Sequence, residues 1–262
     1  MIVSACFVPH PPIIVSCVGR GRERDAAATV AAMQQVSQWM MASKPEVLFV
    51  LSPHAGHSQT GLPIFKAETY RGSFARFGVR EPQWTFSGEV SLQQSLLAEP
   101  IDRGAWEPHE GGLLDHGALV PLSYMAEAGF AGAMVLVGMP YMPGDTVATL
   151  GHGVAKIFRA SPKRVGVIIS GDLSHCLTPE APNGYSPYGK QYDDAFVALM
   201  KVWDTAGLLR FDQALAQRGA QDSLWPAQFL VGLLRDFKVR PRFLSYEGPF
   251  GVGYLVEAFE IT

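Results

Sequence analysis

No stretch of the chain approaches the roughly 18 to 20 consecutive apolar residues that a helix needs to cross a bilayer, so no helical membrane span is expected. Positive charge is not in excess. Lys and Arg number 21 against 24 Asp and Glu, for a net charge of −3, and nucleic acid is not an expected partner. Cysteine is scarce. Cys6, Cys17 and Cys176 stand at unrelated spacings; no disulfide framework or C-x-x-C motif results, which suits a reducing cytosol. The N-terminus, MIVSACFVPHPPIIVSC, has no basic segment and is broken by Pro9, Pro11 and Pro12. That pattern argues against a signal peptide and for a cytoplasmic protein. Internal repeats, low-complexity tracts and linkers are also missing, so one domain over residues 1–262 is expected.

The chain is 48% hydrophobic and 17% charged, enough apolar material for a sizeable core. Short apolar runs at 2–8, 47–51, 133–137 and 165–169 read as buried strands. Residues 242–246 and 252–259 read as two more. Between them lie helical patterns at 24–42, 88–98, 116–126, 145–159, 190–203, 210–217 and 224–236. Asp115 is a good N-cap for the third of these. The stretch 104–112 reads as loop. Alternation of this kind predicts an α/β fold in three layers, a twisted central mixed sheet with helices on both faces.

Three histidines share one layout. FVPH puts His10 just after a strand, FVLSPH does the same for His54, and VIISGDLSH for His175. In open α/β sheets, ligands gather beyond the carboxyl ends of the strands. Glu247 ends the apolar run Phe243–Tyr246 and is placed similarly. Two neutral imidazoles and one carboxylate form the facial set of non-haem Fe(II), with open positions for substrate and dioxygen. The same donors also suit catalytic Zn(II) or another divalent metal, and hence hydrolase or lyase chemistry. A further histidine held off the metal can move a proton.

Other residues have a plainer reading beside the functional one. His57 fits a position at the mouth of such a site, where it would touch substrate. His109 fits a surface or entrance position, and His152 an exposed helix position without chemistry. Asp172 and Ser174 are expected to bond the loop backbone, with Asp172 also able to orient an imidazole. Cys176 reads as a small buried residue. Tyr185, Tyr188 and Phe250 are candidates for an aromatic substrate wall, with core packing or loop anchoring as the alternative. Only Lys190 and Arg242 lie near the motifs in sequence, so a substrate carboxylate has no evident anchor.

The set VPHPP, LSPH, DHGALVPL, SGDLSH and YEGPFGVGYLV, in that order between residues 3 and 259, resembles the catalytic-subunit superfamily of class III extradiol ring-cleavage dioxygenases (LigB-like). Within it the chain looks most similar to a bacterial branch labelled AmmeMemoRadiSam system protein B, which includes Memo-like proteins. The resemblance implies a metal, Fe(II) first, on His10, His54 and Glu247. It implies His175 as the acid/base residue and His116 as a second active-site histidine that contacts substrate or bound oxygen. The implied substrates are a small catechol-type diol and dioxygen, and the implied assembly is a homo-oligomer, dimeric or larger. Memo-like relatives without dioxygenase activity commonly carry Cys where this chain has Glu247, so a metal-binding accessory role is the rival reading.

Overall fold

The computed structural model describes residues 1–100 and 104–262. The first half runs β1 (Ile2–Val8), α1 (Ser16–Gly19), α2 (Ala27–Ala42), β2 (Val47–Leu51), β3 (His57–Ser58), β4 (Leu62–Lys66), β5 (Thr69–Gly72), β6 (Trp84–Gly88), α3 (Val90–Ala98) and β7 (Trp106–Glu110). The second half runs α4 (His116–Glu127), β8 (Ala133–Val137), β9 (Met139–Pro140), α5 (Gly144–Ala160), β10 (Val165–Ser170), α6 (Pro187–Val202), α7 (Thr205–Leu209), α8 (Gln213–Arg218), α9 (Leu224–Leu233), β11 (Val239–Glu247) and β12 (Tyr254–Ile261).

Ten strands form one mixed sheet in the order β11-β12-β1-β10-β2-β8-β4-β7, with β5 and β6 attached through β8. Its centre is four parallel strands, β1, β10, β2 and β8. The apolar runs explain why: strands covered on both faces need side chains that are hydrophobic in both directions. Phe7, Phe49, Val135 and Val167 face one core, with α5, α6 and α9. Cys6, Val8, Leu48, Val50 and Ile168 face the other, with α2 and α4. The three-layer α/β expectation is therefore met. Among the described residues, no helix is long and apolar enough to cross a membrane.

One local expectation fails, and another is met with a shifted start. The stretch 104–112 contains a strand, β7, paired in parallel with β4. Its sequence, WEPHE, looks polar because an edge strand meets solvent, and an edge is where a proline is tolerated. The helix expected at 210–217 is α8, which starts at Gln213 because the Asp212 carboxylate accepts from the N–H groups of Ala214 and Leu215, and the short helix α7 just before it was not expected.

The parallel core fixes where chemistry can occur. Val8, Ser170, Leu51 and Val137 end their strands on the same side of the sheet. The segments carrying His10, Asp172, His175 and His54 all leave from that edge.

Candidate metal centre

His10 follows β1 in a proline-braced turn and is 1% exposed. Its backbone N–H donates to Asp172 Oδ1 at 2.8 Å, and its ring Nδ1 lies 2.9 Å from Ser170 Oγ. The Ser170 hydroxyl donates its own proton to the Gly117 carbonyl at 2.7 Å. It can only accept from His10, so Nδ1 carries a proton and Nε2 is the nitrogen turned toward the neighbouring histidine. A hydrogen-bonded partner fixing the tautomer in this way is typical behind a ligating imidazole.

His54 Nε2 stands 3.0 Å from His10 Nε2. His116, the first residue of α4, completes a cluster in which ligand atoms of all three rings lie within 4.8 Å of one another. Burial and the neighbouring His10 and His54 imidazoles push His116 down to about 3, so its ring is neutral near pH 7. Asp115 caps α4 through the Ala118 N–H and also accepts from Ser52 Oγ at 2.6 Å. The segment after β2 is thereby tied to the helix that carries His116.

A carboxylate also belongs to the cluster, and it is Asp222. Its Oδ2 is 3.5 Å from His10 Nε2 and 3.4 Å from His54 Nε2. Its Oδ1 accepts the Asp172 N–H at 2.6 Å. Burial opposes the charged form of Asp222, but the imidazoles of His10, His54 and His175 hold its carboxyl below the usual range. Burial likewise works to lower His10, yet Asp172 and Asp222 raise it to about 9. The pocket therefore favours positive charge between these groups.

Glu247 must be corrected. Its Oε1 accepts from both the backbone N–H and the hydroxyl of Thr29, each at 2.6 Å. Thr29 lies in the first turn of α2, where N–H groups lack partners within the helix. Glu247 thus caps a helix and lies outside the histidine cluster. Sequence reasoning overlooked Asp222. The signal was slight: an Asp-Ser pair before the apolar helix α9, the usual mark of a helix cap.

His175 leaves the β10 edge, and both its backbone N–H and its Nδ1 contact the Ala220 carbonyl, at 3.0 and 2.8 Å. A carbonyl can only accept, so Nδ1 carries a proton and Nε2 is the nitrogen left for other partners. His175 lines a cleft of about 480 Å³ together with His10, His54, His116, Asp172 and Tyr254. A second cleft of about 460 Å³ shares His54, Phe77 and His116 with it. Phe77, edge-on to the His116 ring at 5.4 Å, stands at the boundary of the two.

None of the proposed substrate contacts His57, Tyr185 and Phe250 lines either cleft, although Phe250 lies against Arg22, which does. His57 is exposed and packs on Tyr141 at 5.2 Å, away from the residues that line either cleft. Tyr185 is 63% exposed. Phe250 lies beneath the Arg22 guanidinium at 5.4 Å, and Tyr188 beneath Arg218 at 4.7 Å. Among the rest, His109 packs on Phe65, His152 pairs with Asp236 at 2.9 Å, and Cys176 is buried.

The donor set suits a divalent ion. For metal–ligand bonds of about 2.1 Å, neighbouring donors stand about 3.0 Å apart in an octahedron and about 3.4 Å apart in a tetrahedron. The edges of the His10, His54 and Asp222 triangle are 3.0, 3.4 and 3.5 Å. Ligation requires these atoms to be free of protons, and a divalent ion would supply the positive charge that Asp172 and Asp222 favour at His10. The fold and site define a class: an α/β protein with a possible metal centre at the carboxyl edge of its parallel strands.

Comparison with known proteins narrows this class. The family described as the catalytic LigB subunit of aromatic ring-opening dioxygenase matches residues 4–257, and the chain belongs to that family. Protein CA_C1420 of Clostridium acetobutylicum is 26% identical over 266 aligned positions, covering 97% of this chain and 56% of that protein. The chain thus spans little more than half the length of this curated relative. The crystal structure of uncharacterized protein JW3007 from Escherichia coli K12 superposes with a TM-score of 0.66 at 16% identity, over 98% of this chain and 99% of that one. This likeness shows the shared fold.

Proposed function

We propose that the protein is an Fe(II)-dependent extradiol dioxygenase acting on a catechol-type diol, with the metal held by His10, His54 and Asp222. The observation that carries this reading is the triangle of donor atoms beside His175 in a cleft with room for an aromatic ring. When bound, Fe(II) supplies open positions for diol and dioxygen and the path for electrons between them. The protein's part is proton movement and exclusion of water. His175 accepts a phenolic proton at Nε2 and later returns it, help typically worth about 10²–10⁴-fold. The neutral His116 hydrogen-bonds an oxygen of the bound reactants. The VPHPP and GDLSH motifs support placement in the Memo-like, AmmeMemoRadiSam system protein B branch.

A second reading rests on His116. Three clustered imidazoles also match the His₃ set of catalytic zinc, which favours a zinc hydrolase or lyase. Anaerobic loading with Fe(II) or Zn(II), followed by oxygen uptake on a panel of catechols, separates the two. The dioxygenase reading predicts uptake and a yellow ring-fission product with Fe(II) only. It also predicts that His175→Ala keeps the metal and loses turnover by about 10²-fold or more. No uptake with any diol would exclude it.

A further inference from the structure

From its sequence neighbours, the motif region offers no anchor for a substrate carboxylate. The fold turns one back to the cleft from the segment just after the VPHPP motif. Arg22 lines the same cleft as His10, His54, His116 and His175, and apart from imidazoles it is the cation among the lining residues. Its guanidinium rests over the Phe250 ring at 5.4 Å. Among the described residues it has no ion-pair partner, and it is solvent-exposed.

The approach of Arg22 is built into the backbone that carries His10. After the Pro11–Pro12 turn, Ile14 N–H donates to Pro11 O and Val15 N–H to Pro12 O, both at 3.1 Å. α1 follows at once, and Arg20 N–H closes it on Ser16 O at 2.9 Å. The chain then doubles back. A Cβ at Gly19 would stand 2.3 Å from Ile13 O, so only glycine permits this approach. Gly21 has φ of +100° and donates its N–H to Glu23 Oε2 at 2.7 Å. One short series of turns thus joins the metal-binding histidine to the arginine.

We propose that Arg22 is a specificity-determining residue that receives a carboxylate on the aromatic diol. The inference rests on the dioxygenase reading for the reaction itself. A planar guanidinium already positioned by an aromatic face can bind a carboxylate through two parallel hydrogen bonds. No other lining residue offers that match. His10 and Asp172 are engaged with each other, and the cleft walls of Pro12, Val18 and Val252 are apolar.

The test compares 3,4-dihydroxybenzoate with its methyl ester on Fe(II)-loaded wild type, Arg22→Gln and Arg22→Lys. The acid is expected to be preferred about tenfold or more by wild type, as a charged hydrogen bond would give. Arg22→Gln should erase that preference through KM, with kcat and the ester kinetics unchanged. Arg22→Lys should retain part of it. An equal preference in wild type and Arg22→Gln would overturn the assignment. Anaerobic calorimetry of the same two compounds provides a readout independent of turnover. If no diol supports oxygen uptake, the dioxygenase reading fails. Arg22 is then judged by binding alone: loss of acid binding in Arg22→Gln upholds the anion site, and equal binding refutes it.

Discussion

Asp222 and Glu247 are both carboxylates near a strand or helix end, and what separates them is the partner each one meets. Glu247 meets two donors on Thr29, which satisfy one oxygen and complement the positive end of α2. Asp222 meets imidazole nitrogens and the Asp172 N–H, a donor set that a cation can bridge. Their variants should therefore part company. Asp222→Ala is expected to weaken binding of Fe(II) or Co(II) by well over tenfold in anaerobic titration. Glu247→Ala should leave metal affinity unchanged and cost about 0.5–2 kcal/mol of stability, the usual range for a lost cap. Metal retained by the first variant and stripped from the second would reverse the assignment. His10, His54 and His175 were legible in the sequence because each one follows an apolar strand, whereas His116, which opens α4, was reached only through the family resemblance. Asp222 was not legible, since its approach depends on hydrogen bonds to the Asp172 backbone, 50 residues away, that no local pattern encodes.

At the scale of elements, α6 and β11 hold the His175 turn in place. Asp193 on α6 accepts the Ser174 N–H at 2.8 Å through one oxygen and the Tyr246 hydroxyl at 2.6 Å through the other. Gly189 lets α6 approach, for a Cβ there would stand 2.5 Å from Ser174 Oγ. Removing the carboxylate leaves a buried N–H unpaired, which costs about 1–3 kcal/mol. It also frees the turn that aims His175. Asp193→Ala is expected to lower kcat about tenfold or more per folded molecule, in line with the loss of a positioned acid/base group. Asp193→Asn, which keeps one acceptor, should recover part of it, and metal content should be unaffected in both. Unchanged kcat with a lowered melting temperature would reduce Asp193 to a purely structural role. The central strands and long helices were legible because apolar periodicity survives in any strongly buried element. The edge strand β7 and the β5–β6 hairpin were not, because half-exposed strands carry the same polar residues as loops.

For the whole molecule, the sheet that builds the site also encloses a carboxylate with no visible use. Glu257 lies mid-strand in β12, opposite Phe7 on one side and Phe243 on the other. It is fully buried, and neither carboxylate oxygen has a hydrogen-bond partner among the described residues. Burial raises it to about 8 from an ordinary value of 4.5, with Lys201 opposing. Between those two values the folded chain holds a proton that the unfolded chain has released. Linkage then requires stability to fall as pH rises through that window, by at most about 1.4 kcal/mol per pH unit from this group. Below pH 4.5 the group is neutral in both states and contributes no slope. Glu257→Gln removes the titration while keeping the shape. The variant and wild type should differ by a constant amount near pH 4, and the balance should shift toward the variant as pH climbs to 8. Urea unfolding at pH 4, 6 and 8 reads this directly. A stability difference that stays the same at all three would mean that Glu257 ionises in the folded protein as it does in the unfolded chain, either through water reaching the strand or through a partner supplied by a shift of Lys201.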